Sequence, residues 1–280
     1  MTQFTQKTWF ITGVSSGFGK ALAEALLAAG HRVVGTLRNE AARLAFENSR
    51  PGLSFGQLLD VTDTAVVPAV VADIEARIGA IDVLVNNAGY GHEGPVEESP
   101  LEDLRQQFEV NVFGAVAVIK AVLPFMRERR RGHILNVTSM GGITTFPGLG
   151  YYHGSKFALE GISEALGKEV RPFGIFVTAI EPGAFRTDWA GRSMVRAERS
   201  IADYDASFDA LRETRRQRSG NQVGDPAKAA LAMMAVVESA EPPVHLLLGQ
   251  DAVQFVRAKL EAHLAEIKQW EALSLSTHFD

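Results

Sequence analysis

Tyr152 and Lys156 stand four positions apart in the segment Gly150-Tyr151-Tyr152-His153-Gly154-Ser155-Lys156, whose continuation predicts a helix over residues 152–170. Residues four apart share one helix face, so the phenol and the ammonium are neighbours. A phenol with a pKa near 10 is a poor base at neutral pH, and bringing it to ~7 takes about 4 kcal/mol of differential stabilisation. A nearby ammonium acts in that direction. The phenol can then take a proton from an alcohol, or return it to a carbonyl. Tyr151 is a decoy: its partner at four residues is Ser155, and it points about 100° away around the helix. Alone, the pair is also what an exposed helix with an aromatic–lysine contact displays. Ser139 follows Leu135-Asn136-Val137-Thr138, so its hydroxyl emerges where a strand ends. There it can hydrogen-bond a reacting oxygen and stabilise developing negative charge. A turn serine occupies the same place, and Thr138 is its closest rival.

These residues need a frame. Short Val-, Ile- and Leu-rich runs at 8–12, 32–37, 53–59, 81–86, 133–138, 175–180 and 244–248 alternate with longer helical patterns at 17–29, 40–48, 64–78, 101–127, 152–170 and 226–237. Runs without polar alternation fit strands buried on both faces. Strands separated by helical crossovers make right-handed parallel β-α-β units. The expectation is an α/β fold, a Rossmann-type doubly wound parallel sheet of about seven strands with helices on both faces, in a single domain over 1–280. Residues 184–225 form a long polar excursion carrying Phe185, Trp189, Tyr204 and Phe208, read as a substrate lid. Residues 250–280 read as a C-terminal helical extension, with Val253, Val256, Leu260, Leu264 and Ile267 at helical spacing.

Directly after the first strand comes Thr12-Gly13-Val14-Ser15-Ser16-Gly17-Phe18-Gly19, and a helix opens there. Glycines at such a turn let the backbone approach a pyrophosphate, and the helix N-terminus offers free N–H groups to it. Ordinary strand-to-helix turns also use glycine. At the end of the second strand, Gly35-Thr36-Leu37-Arg38-Asn39 lacks the carboxylate that would hold a ribose 2′-hydroxyl. Arg38 instead offers a planar cation suited to a 2′-phosphate, which favours NADP(H) over NAD(H).

The TGxxxGxG spacing resembles the short-chain dehydrogenase/reductase family, and later segments match that family in order: Asp60 after the third strand, Asn86-Asn87-Ala88-Gly89 after the fourth, Asn111, Ser139, Tyr152-x-x-x-Lys156, and Pro182-Gly183. The resemblance covers residues 8–250. It implies a dinucleotide held by Gly13, Ser15, Ser16, Gly17, Phe18 and Gly19, with Asp60 and Val61 on the adenine side. Asn87, Ala88 and Gly89 would wall the adenosine, with Asn86 structural. Tyr152, Lys156, Pro182, Gly183 and Thr187 would lie at the nicotinamide end. Asp60 also suits a turn or helix cap. In the family, the counterpart of Asn111 anchors a water leading to the lysine; a helical Asn in apolar company has weak propensity and needs a reason. A basic residue at the position of Arg38 resembles the NADP-preferring, steroid- and retinol-type members. That implies an alcohol or carbonyl substrate, compatible with an apolar one lined by Tyr90, His92, Met140 and Ile143, and by Phe146, Leu149, Phe185 and Trp189. Relatives commonly associate into homo-oligomers.

The rest of the composition narrows the classes. In 280 residues, 46% are hydrophobic and 22% charged, the net charge is −5, and there is no cysteine. Disulfides, thiolate metal sites and a cysteine nucleophile are excluded. The balance argues against a nucleic-acid binder, and the lack of cysteine fits a cytoplasmic protein. The N-terminus reads as a first strand rather than a signal peptide, and no apolar run approaches a membrane span. Arg127-Glu128-Arg129-Arg130-Arg131 suits a helix C-terminus, and the histidines show no metal-ligand spacing, so no metal is expected. Asn136-Val137-Thr138 matches a glycosylation acceptor but falls in a central strand. The reading is an NADP(H)-dependent oxidoreductase interconverting an alcohol and a ketone or aldehyde. The alternatives are a non-catalytic NADP(H)-binding sensor, or an epimerase or dehydratase working through transient hydride transfer.

Overall fold

The computed structural model describes residues 5–279; residues 1–4 and Asp280, at the two ends of the expected domain, lie outside it. In chain order the elements begin β1 (Thr8–Ile11), α1 (Gly17–Ala28), β2 (Arg32–Leu37), α2 (Glu40–Glu47), β3 (Ser54–Leu58), α3 (Val67–Arg77) and β4 (Val83–Asn86). They continue with β5 (Gly91–Glu93), α4 (Leu101–Phe108), a π-helical segment (Glu109–Gly114), α5 (Ala115–Arg129), β6 (Gly132–Val137) and α6 (Gly150–Val170). Last come β7 (Ile175–Pro182), β8 (Met194–Arg196), α7 (Ala210–Arg218), α8 (Pro226–Val237), β9 (His245–Leu248) and α9 (Gln250–Leu275).

Seven strands form one sheet in the order β3-β2-β1-β4-β6-β7-β9. Every pairing is parallel. This is the Rossmann-type doubly wound architecture expected from the alternation of apolar runs and helices. The two-residue period of each strand divides its side chains between two cores. Trp9, Ile11, Val33, Val83, Val85 and Leu135 face one layer with Leu22 and Leu26 of α1 and Met233 of α8. Phe10, Val34, Leu84 and Ile134 face the other, with Ile74 of α3, Val118 and Val122 of α5, and Leu166 of α6. Strand order reverses between β1 and β4, so a crevice opens beyond their carboxyl ends, where sheets of this kind take ligands.

Four local features depart from the sequence reading. The helix expected over 101–127 is interrupted by the π segment, which carries Asn111. Leu101–Arg129 as a whole is long and apolar enough to cross a membrane by length and composition. Its apolar content has a source in the fold: it is the crossover between paired strands β4 and β6, with Val112, Val118, Val122 and Met126 in the interior. The basic run at its end does more than complement the helix C-terminus, because Arg129 pairs with the nearly buried Glu75 at 2.6 Å. Finally, β5 and β8 form a separate two-stranded parallel sheet, and three-residue strands leave no readable period.

That small sheet fastens the excursion 184–225 to the body. Glu93 of β5 is fully buried. Its carboxylate meets Arg196 of β8 at 2.9 Å and Arg215 of α7 at 3.0 Å. Nearby, Glu98 pairs with Arg199 and accepts the backbone N–H groups of Ser200 and Ile201 at 2.6 and 2.7 Å. Breaking a buried pair leaves the remaining charge uncompensated, so Glu93→Gln should lower unfolding free energy by about 2–4 kcal/mol. Urea unfolding measures this, and proteolysis within 198–220 should accelerate in the same variant.

Candidate active site

The glycine turn after β1 is held from two neighbouring strands. Gly13 N–H donates to Thr36 Oγ1 of β2 at 2.9 Å. Asn87, just past β4, donates its side-chain amide to Thr12 O (2.9 Å) and Gly13 O (2.7 Å). Thr12 Oγ1 in turn accepts the N–H groups of Asn87 and Ala88, both at 3.0 Å. Gly13 has φ +73° and Gly17 φ +58°, a region that favours glycine. A side chain at Gly19 would collide with Gly13 O and with the Asn87 amide.

The opening of α1 is left free for a ligand. Ser16 makes no side-chain cap and the first turn carries no acid, so its N–H groups face outward unfilled. A cleft of about 390 Å³ lies there, lined by Ser15, Ser16, Gly17, Lys20, Arg186 and Thr187 among others. Uncapped N–H groups, a glycine floor and cationic walls together suit the pyrophosphate of a dinucleotide. Thr187 stands over Gly17: a Cβ built there would lie 3.8 Å from Thr187 Cβ.

At the adenosine end, Arg38 is exposed just past β2. Asp60 Oδ1 accepts Thr62 N–H (3.0 Å) and Thr62 Oγ1–H (2.7 Å), so this carboxylate closes a turn. Burial pushes its pKa up, but the two Thr62 hydrogen bonds and the Arg38 charge outweigh burial and hold it below the usual carboxylate range. Val61 is buried and its side chain fills the space above Gly114 of the π segment. Both donors of the Asn87 amide are spent on the glycine turn, leaving its carbonyl oxygen and backbone for a ligand.

The chemical groups converge on the far side of the same crevice. Ser139 lies at the start of the connection from β6 to α6, and its Oγ accepts Gly141 N–H at 2.9 Å. The Ser139 hydroxyl also lies 3.5 Å from Pro182 O and close enough to the Tyr152 phenol to favour its anion. Lys156 is 6% exposed, and its Nζ donates to Val137 O at 2.8 Å. That nitrogen lies 5.8 Å from the centre of the Tyr152 ring. His153 braces the loop between them, with Nδ1 2.7 Å from Gly141 O and Nε2 accepting Phe146 N–H at 2.8 Å. Asn111, from the π segment, holds both backbone groups of Tyr90 at 3.1 Å and reaches Ser155 Oγ at 3.1 Å. Gly89 separates Asn111 from Lys156: a Cβ there would lie 3.0 Å from Asn111 Oδ1 and 3.7 Å from Lys156 Nζ. π-helical turns often occur where a side chain must leave the regular helical face.

Without a dinucleotide, burial dominates the electrostatics of the pair. Burial pushes the Tyr152 phenol up to about 12, against the nearby Ser139 hydroxyl, which lowers it. Burial pushes Lys156 down to about 8, against the raising effect of Glu160. A lysine so placed does not of itself make a phenolate; further positive charge is required.

Several residues fall elsewhere than the lining suggested by sequence. Phe185 belongs to the core beside α1, edge-on to Phe18 with centroids 5.1 Å apart. His92 is buried, its Nε2 3.0 Å from an Asp103 oxygen. Tyr151, the decoy, donates its hydroxyl to Ser99 O at 2.7 Å. Trp189 does face the site, with its ring 5.0 Å from Tyr152. Gly183 passes directly over Asp251 of α9, whose Oδ2 accepts Ala184 N–H at 2.7 Å. Nothing in the local sequence marks Thr36 or Asp251 for these roles, because each acts across a gap in the chain.

Comparison with known proteins agrees with this layout. The family described as short chain dehydrogenase matches residues 7–196. Oxidoreductase BOA17 of Botryotinia fuckeliana is 41% identical over 273 residues, covering 97% of this chain and 99% of its own. The 3-ketodihydrosphingosine reductase of Bacteroides thetaiotaomicron is 38% identical over 271 residues, covering 95% and 96%. The NADPH-dependent 3-dehydrocapnine reductase of Ornithobacterium rhinotracheale is 38% identical over 189 residues, 65% of this chain and 67% of that one. Among solved structures, a short-chain dehydrogenase from Streptomyces avermitilis superposes with TM-score 0.91 at 41% identity, covering 99% of this chain and 100% of the other. One from Burkholderia phymatum in complex with NAD superposes with TM-score 0.82 at 27% identity, covering 95% and 97%. The match runs through both the glycine turn and the Tyr152–Lys156 helix, and the protein belongs to the short chain dehydrogenase family, as an oxidoreductase enzyme.

Proposed function

We propose that this oxidoreductase uses NADP(H) to interconvert an alcohol and a ketone or aldehyde, with Tyr152 as the general acid and base. The observation that carries this reading is the burial together of Ser139, Tyr152 and Lys156, with the Lys156 nitrogen 5.8 Å from the Tyr152 ring, at the mouth of the crevice beside the glycine turn. A nicotinamide dinucleotide is the cofactor class of structural neighbours of this chain; when bound it supplies or accepts the hydride.

The chain's own residues handle the proton and the geometry. Ser139 Oγ is placed to hydrogen-bond the substrate oxygen and stabilise charge developing on it. Tyr152 Oη delivers its proton to that oxygen in reduction and removes it in oxidation. Lys156, fixed through Val137 O, supplies positive charge on the phenol's side and favours its anion. Asn111 keeps Tyr90 and the turn at Gly89 in place beside Lys156, the position from which a water could return a proton to the Lys156 amine after it has given one up. Arg38, with no carboxylate at the end of β2, supports the 2′-phosphate of NADP(H) over the free hydroxyl of NAD(H). Relatives named as 3-keto and 3-dehydro reductases support a ketone as the oxidised substrate. Segment 184–225, strapped to Glu93 and bringing Trp189 over Tyr152, serves as the substrate lid, and the indole favours an apolar group there.

Three outcomes follow. Tyr152→Phe should cut kcat by about 10²–10⁴-fold while leaving the Kd for NADPH within twofold, read by absorbance at 340 nm and by cofactor fluorescence. Cofactor binding with no turnover of any ketone or aldehyde by the unmodified protein would favour a sensor instead. Oxidation requires the phenolate, so its kcat/KM should rise with pH; reduction requires the phenol, so its kcat/KM should fall as pH rises. Parallel slopes in the two directions would remove Tyr152 as the shared acid and base. Arg38→Ala should weaken NADPH by about ten- to a hundredfold and NADH little, as expected for losing a charged hydrogen bond; equal weakening would exclude the 2′-phosphate contact.

A further inference from the structure

Beneath the catalytic groups lies a second cluster that the proposed reaction does not use. Glu160 follows Lys156 by one turn on α6, Glu181 immediately precedes Pro182 on β7, and His245 opens β9. Among the described residues, one ligand atom from each of these three lies within 4.8 Å of the others. His245 Nδ1 is 2.7 Å from Glu181 Oε1 and 3.4 Å from Glu160 Oε2.

The two carboxylates lack the donors that burial demands. Glu181 is fully buried and Glu160 is 7% exposed. Glu181 Oε2 and both oxygens of Glu160 have no hydrogen-bond partner. Thr138 lies close enough to lower the Glu160 pKa, but its one hydroxyl proton is given to Ile180 O at 2.9 Å. A buried charge is normally paired or bound to a metal, and a half-satisfied cluster is costly. One proton shared between the carboxylates would still leave an oxygen bare. Three ligands from three elements, two oxygen and one imidazole nitrogen, would leave a fourth position for water around one cation. Bonds of about 2.0–2.2 Å place neighbouring tetrahedral ligands about 3.4 Å apart, close to the His245–Glu160 separation. The imidazole is partly exposed, which gives a cation a way in from solvent.

We propose that Glu160, Glu181 and His245 form a binding site for one divalent cation of the zinc or manganese kind, joining α6, β7 and β9 under the catalytic helix. Binding displaces the proton between His245 and Glu181 and gives the bare oxygens of Glu160 and Glu181 a partner. It ties the helix that carries Tyr152 and Lys156 to the strand that leads into Pro182-Gly183.

The test uses full-length protein stripped with chelator, dialysed, and titrated with Zn²⁺ and separately with Mn²⁺ by calorimetry, with metal content checked by mass spectrometry. The expected result is one ion per chain for at least one of the two metals, with a Tm that rises on its addition. Glu181→Gln, nearly isosteric, and His245→Ala, at a partly exposed position, should each weaken that binding more than about a hundredfold and abolish the Tm rise. No stoichiometric binding of either ion would overturn the proposal, and so would binding that both variants retain, which would place the ion on other surface histidines. NADPH affinity of the same metal-free protein is measured in parallel. Its presence or absence bears on the proposed reaction alone, so failure of one reading is distinguishable from failure of the other.

Discussion

An ammonium removed from water needs its protons met, and Lys156 places one on the Val137 carbonyl at 2.8 Å. That contact forces α6 against the end of β6 and fixes the phenol one turn earlier beside Ser139. The surrounding structure secures the same contact from behind. Asn86 donates to Asn136 across β4 and β6 at 2.9 Å, and Asn136 donates to Ser163 of α6 at 2.8 Å. This buried amide ladder ties two central strands to the catalytic helix, and it accounts for polar side chains in strands that otherwise carry Val, Ile and Leu. It also leaves Asn136 wholly buried, out of reach of any glycosylating enzyme.

The glycine turn and the chemical cluster are built by one principle applied twice. At each, a backbone segment is pinned by side chains from neighbouring elements, so the loops at the strand ends become rigid supports. Thr36 and Asn87 hold the turn that faces a pyrophosphate; Asn111 and His153 hold the loops around the proton donor. The π-helical turn at Asn111 is the local concession this requires, since a regular helix would carry that amide elsewhere.

Much of this was legible in the sequence because it is local. The apolar runs located all seven strands of the main sheet, and helix 226–237 was bounded correctly. Tyr152, Lys156 and the glycine turn were found because fixed spacing on one element decides their geometry. What sequence could not supply was pairing across the chain. Glu93 with Arg196 and Arg215, and Glu160 with Glu181 and His245, join residues that no short motif relates. Phe185 was misplaced for the same reason: an aromatic in a polar segment looks like lining until α1 is seen to receive it. The strength of the burial that opposes the Tyr152 anion was not legible either, because burial is a property of the packed helix and not of the Tyr-x-x-x-Lys spacing.

Burial alone keeps the phenol neutral, with its pKa near 12, so the account requires that the oxidised dinucleotide supply the remaining positive charge. The direct measurement is a pH titration of the Tyr152 ring carbon bearing the hydroxyl, by ¹³C NMR, with and without NADP⁺. The account predicts a neutral phenol through pH 10 (roughly two units below its buried pKa) in the protein alone, and a titration moved toward neutrality once NADP⁺ is bound. A signal that NADP⁺ leaves unmoved would contradict it.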